Sequence, residues 1–72
     1  MQAWEHCILT AIETQDRTEF MVALESGTWS PKGASSRLDV MAELGKQGWE
    51  LVGIRPLGPG VAEFYFKRPR TT

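Results

Sequence analysis

The amino-acid sequence predicts an α+β domain in which one helix packs on one face of a small antiparallel sheet. Three observations carry this. Only the stretch "SRLDVMAELGKQ" (36–47) combines helix-type apolar spacing with a start signal and a stop signal. Four other stretches are short, carry aromatic, β-branched or other apolar residues, and are bounded by turn residues. The chain of 72 residues makes a single domain (1–72, with a basic tail at 67–72), so its core is small.

The elements follow in order. "AWEHCILTAI" (3–12) reads as the first strand and "ETQDRT" as a polar turn. "EFMVALE" (19–25) is a short apolar run between turn signals, a second strand. "SGTWSPKGASSR" (26–37) reads as a Gly/Ser/Pro loop that contains Trp29. In the helix, Ser36 is the expected N-cap, with Asp39 three residues on completing an approximate capping box. Leu38, Met41, Ala42 and Gly45 form the expected apolar stripe, and Val40 and Leu44 widen it. Gly48 stands where a left-handed C-terminal cap belongs, and Lys46 suits the dipole of the last turn. "WELVGIRP" (49–56) is a strand expected to end at Pro56, "LGPG" turns the chain, and "VAEFYFKR" (61–68) returns as its hairpin partner. There Ala62, Phe64 and Phe66 alternate with Glu63, Tyr65 and Lys67, which assigns one face to the core. The expected order is therefore β-β-α-β-β.

A domain this small needs a staple: disulfides, a metal or oligomerisation. Cys7 is the single cysteine and His6 the single histidine. As neighbours on a strand they point to opposite faces, so they neither clasp one metal nor form a dyad. No metal and no cofactor is expected. Self-association is the staple left, and the strands support it. Ile8 and Leu9 point oppositely, as do Met21 and Val22, while a single helix covers a single face. The second face is expected to be covered by another copy of the chain, because soluble monomers rarely leave a large apolar patch wet.

The net charge is −1 and unevenly spread: residues 1–36 carry two basic side chains against five acidic ones, and residues 37–72 carry six against four. The imbalance favours head-to-tail contacts or an anionic ligand near the basic end, and it is too mild for duplex DNA. The opening "MQAWEHCILTAI" has no basic leader and no unbroken apolar run, and no segment approaches the about 20 apolar residues of a membrane helix. With an unpaired cysteine, this points to the cytoplasm.

The stretches "LGKQGWELV" (44–52) and "FYFKRP" (64–69) resemble a group of small bacterial and phage proteins catalogued as a domain of unknown function. Its pattern is roughly L-N-x-L-G-x-x-G-W-E-L-V followed by a hairpin ending in F-K-R. The resemblance covers the helix and the last two strands, with Met41 and Ala42 in place of the usual Leu-Asn, and it does not extend to the 26–37 loop. It implies one helix on a small antiparallel sheet and structural roles for Gly45, Gly48, Trp49 and Leu51. It implies no activity.

Two stretches are candidate sites. A helix start offers unpaired backbone N–H groups and a partial positive charge, which suits an anion. Here Lys32, Ser35, Ser36 and Arg37 surround such a start, and Trp29 stands ready to stack on a base. The same tryptophan would equally anchor the loop on the core or insert into a neighbouring subunit. The second candidate is Tyr65, Lys67, Arg68 and Arg70, aromatic and cationic residues of the kind that hold single-stranded nucleic acid. Edge-strand protection is their plainer role. Trp4 and Trp49 are expected in the core or an interface, His6 partly buried and hydrogen-bonded, and Cys7 buried and unreactive. No nucleophile–base pair stands out in the sequence.

The sequence thus predicts a non-catalytic, homo-oligomeric binding protein for a small anionic ligand such as a nucleotide. Sequestration of a nucleotide signal by a phage-type protein is one form of this. The alternatives are a structural or protein-interaction module that docks a partner through the Trp29 loop, and a single-stranded nucleic-acid binder.

Overall fold

The computed structural model describes residues 1–31 and 36–70. It comprises β1 (Trp4–Glu13), β2 (Thr18–Leu24), β3 (Gly27–Trp29), α1 (Arg37–Lys46), β4 (Glu50–Gly58) and β5 (Val61–Pro69). The strands form one antiparallel sheet in the order β3-β2-β1-β5-β4, with α1 on one face.

β1 is the spine. Cys7, Leu9 and Ala11 stand opposite Leu24, Val22 and Phe20 of β2 on one side and Phe66, Phe64 and Ala62 of β5 on the other. Directly opposed residues share a face, so these side chains form one apolar floor. Val40 and Leu44 of α1 and the following Trp49 close over it, and Leu9, Val22, Val40 and Leu44 are fully buried. The expected alternation along β5 is observed, with Phe64 and Phe66 buried and Ala62 packed against the core.

The helix termini follow the local chemistry of the sequence. Ser36 Oγ accepts the Asp39 N–H at 3.2 Å. At the other end Gly48 has φ +89°. Its N–H donates to Gly45 O and that of Trp49 to Leu44 O, both at 3.0 Å, the paired pattern of a glycine-terminated helix. Trp49 thereby folds back onto Leu44 in the core. Gly60 is a further constrained glycine: φ is +74°, an added Cβ would stand 3.0 Å from the Glu13 carbonyl oxygen, and the Glu13 N–H donates to Gly60 O at 2.7 Å.

Four expectations need correction. The order is β-β-β-α-β-β, because residues 27–29 of the expected loop form a third strand. Its ladder pairs Trp29 with Val22 and Gly27 with Leu24, and Gly27 (φ +145°) enters it from a tight turn. The pairing is a local hairpin across the Glu25–Ser26 turn, and three residues in a Gly/Ser-rich stretch carry too little alternation to announce a strand. Pro56 does not end β4, which continues to Gly58; β4 is an edge strand, where a missing N–H is tolerated. On α1 the buried residues are Val40 and Leu44, with Met41 half-buried against the core. Leu38 is 74% exposed, and Ala42 and Gly45 are exposed too. A short helix on a sheet buries a narrow i, i+4 line, and tertiary contact selects which line. Lastly, His6 is exposed, and the hydrogen bond to Glu25 Oε2 at 3.2 Å comes from its backbone N–H rather than its ring.

Candidate binding surfaces

The first candidate set is built around the start of α1. Trp29 lies on the helix side of the sheet, opposite Val22, half-buried and packed against the core. It extends the apolar floor beyond β2, which is the reason for an aromatic in this stretch. Lys32 and Ser35 lie outside the described residues. The Ser36 hydroxyl oxygen is occupied as the helix cap. Arg37 donates from Nη2 to Glu13 Oε1 at 2.8 Å, and its guanidinium lies 5.9 Å from the Phe64 ring centroid. Both partners of the Arg37–Glu13 pair remain about half exposed, so the pair adds little stability, but it occupies the charge that would hold an anion. A cavity of about 510 Å³, bordered by Thr10, Ile12, Met21, Ser30 and Pro31, opens mainly on the face away from α1, and neither Trp29 nor Arg37 lines it. Its two charged side chains, Arg17 and Glu19, pair with each other at 2.9 Å.

The second set is the basic end of β5. Each cation there has a partner within the chain. Lys67 Nζ sits 4.3 Å from the ring centroid of Trp4, and the Arg68 guanidinium 4.2 Å from that of Trp49. Arg68 also pairs with Glu5 and donates to the Gln47 carbonyl at 2.7 Å, tying β5 to the end of α1. Arg70 pairs with Glu25 at 2.5 Å. Tyr65 donates its hydroxyl proton to Glu63, which raises the pKa of the phenol. In a run that is basic in sequence, Arg68 and Arg70 are each paired in space with a carboxylate, while Lys67 lies on an aromatic ring. The acids come from β1 and the β2–β3 turn, 45 to 63 residues away in sequence.

Cys7 is buried, and desolvation raises its thiol pKa to about 11, so it carries no thiolate near neutrality. Among the described residues no group of three or more His, Cys, Asp and Glu side chains is placed to hold a metal ion. No described helix is long and apolar enough to cross a membrane.

The third surface went unnoticed in the sequence. On β4, Leu51 is 38% exposed, Val52 50%, Ile54 57% and Leu57 47%. Leu51 and Ile54 stand opposite Phe66 and Phe64, on the same side as α1, but the helix does not reach them. The signal was present as an apolar run in "ELVGIRPL", which reads equally well as core. On the face away from α1, Trp4, Ile12 and Met21 are exposed as well, at 41%, 38% and 50%. No family model, curated protein or solved structure matches the chain, so these surfaces are interpreted from their own geometry.

Proposed function

We propose that this protein is a non-catalytic, self-associating binding module. The observation that supports it is the apolar row of β4, left exposed along a free sheet edge in a domain whose buried core, among the described residues, is nine side chains. An exposed, apolar edge strand is a template for another strand. A chain of this size gains most of its missing burial by association. Native mass spectrometry across a concentration series, with mass analysis of anything released on denaturation, tests this. A discrete oligomer is the expected result, and a monomer at every concentration would refute it.

A second reading, a small anionic ligand such as a nucleotide, is supported only by the cavity that Ser30 and Pro31 border on the face away from α1. Its volume falls within the about 300–1,000 Å³ typical of ligand sites. In that reading Arg17, the cation that lines the cavity, must leave Glu19 to take the anion. A nucleotide among the released species supports it, and a bare oligomer leaves the self-associating module alone. Single-stranded nucleic-acid binding has the least support, because Arg68 and Arg70 already have carboxylate partners.

A further inference from the structure

We infer that β4 pairs antiparallel with β4 of a second copy, about a two-fold axis between Val52 and Gly53, joining two five-stranded sheets into one of ten. This rests on the self-association proposed above and specifies its surface, register and symmetry.

The argument starts from a parity rule. In an unbroken strand successive side chains alternate between faces, so residues 51 and 54 would point to opposite sides. In β4 they do not. The ladder to β5 runs Glu50↔Lys67, Leu51↔Phe66, Gly53↔Tyr65, Ile54↔Phe64 and Arg55↔Glu63, with a register shift that leaves Val52 as the extra residue. The bulge resets the alternation. Leu51 and Ile54 therefore share the helix side with Phe66 and Phe64, and Glu50 and Arg55 share the opposite side with Lys67 and Glu63.

A two-fold axis perpendicular to the sheet keeps each face on its own side and pairs residues whose numbers have a constant sum. With the axis between Val52 and Gly53, Leu51 of one copy meets Ile54 of the other, and Glu50 meets Arg55. On the helix side the row across the junction becomes Phe66, Leu51, Ile54, Phe64, apolar throughout. On the other side it becomes Lys67, Glu50, Arg55, Glu63, alternating in sign at every step. The two-fold makes each row occur twice. Cross-strand pairs of opposite charge and of apolar side chains are the favourable ones in antiparallel sheets. Leu51, Val52 and Ile54, exposed in one chain, all lie inside the six-residue junction. Pro56, which has no N–H to give, bounds it immediately after Arg55 and confines pairing to this stretch.

Charge reversal tests the register. Glu50→Arg places arginine opposite Arg55 at both symmetric positions, and Arg55→Glu places glutamate opposite Glu50. By sedimentation velocity each single variant is expected to associate at least about tenfold more weakly than the parent chain. An equimolar mixture of the two is expected to recover association as a heterodimer, because every junction pair is again of opposite sign. The double variant Glu50→Arg/Arg55→Glu is expected to self-associate. If the parent chain oligomerises and both single variants do so equally well, this register is wrong while self-association stands. If the parent chain is a monomer throughout, both fall. Hydrogen exchange of the parent chain guards against a variant that fails to fold: amide protection over Glu50–Arg55 should rise with protein concentration. Protection that rises only elsewhere overturns the proposal.

Discussion

The two edges of the sheet solve the same problem differently. Both lie beyond the reach of α1: an α-helix is about 10–12 Å wide and strands are about 4.8 Å apart, so one helix covers two or three strands, not five. At the β3 edge the chain supplies its own cover, since Trp29 lies half-buried against the core beside Val22. At the β4 edge no described residue does, and Leu51 and Ile54 remain exposed although their cross-strand partners Phe66 and Phe64 are buried. The lesson is that apolar character alone does not make a core residue; position under the single helix does. An edge with a tryptophan of its own is closed, and an edge with only aliphatic side chains is left for a partner.

The sharpest way to break this comparison sets the covered centre against the bare edge. Leu44→Ala removes a fully buried side chain and should cost about 2–5 kcal/mol in denaturant unfolding. Ile54→Ala, at 57% exposure, should change the stability of the dissociated chain by no more than about 0.5 kcal/mol while weakening self-association. Equal losses of stability at the two sites would show that β4 is packed within its own chain.

A smaller effect is expected at the closed edge. Trp29→Ala should lower stability by about 1–3 kcal/mol, because the half-buried indole covers apolar surface. Unchanged thermal unfolding would mean that Trp29 is held for a ligand rather than for the fold.

The smallest effect concerns the pairs at the basic end. Glu25 accepts hydrogen bonds from the Arg70 guanidinium and the His6 backbone N–H, and these lower its pKa from the ordinary 4.5. An acid with a depressed folded-state pKa stabilises fully above its unfolded value and loses that contribution as pH falls through the folded one. The melting temperature should therefore decline slightly below pH 4.5, and Arg70→Ala should flatten that part of the profile. An identical decline in the variant would show that the Arg70 pair is not its source.

Much of the fold could be read from local chemistry. Ser36 and Gly48 mark the helix ends because capping involves groups within a few residues of each other. The alternation of Phe64 and Phe66 with charged neighbours marks the core face of β5 because strand geometry has a period of two. Local pattern failed where a signal was too short to read or where the outcome depended on distant residues. β3 exists because Val22 and Leu24 offer a ladder to Trp29 and Gly27, and three residues carry too little periodicity to announce a strand. The helix stripe was displaced because Leu38, Val40, Met41 and Leu44 are all apolar, and only the position of the sheet selects among them.

The sequence by itself determined the class of fold, the capped helix, the hairpin and the inert buried cysteine, all consequences of short-range geometry and residue type. Tertiary structure alone decided that Trp29 packs against the core, that Arg68 and Arg70 of the basic tail pair with Glu5 and Glu25, and that β4 is an edge with its apolar residues uncovered. The physical reason is the same in each case. Charge pairing, burial and strand order depend on which residues meet across the fold, and a linear sequence specifies that only once the chain has closed on itself.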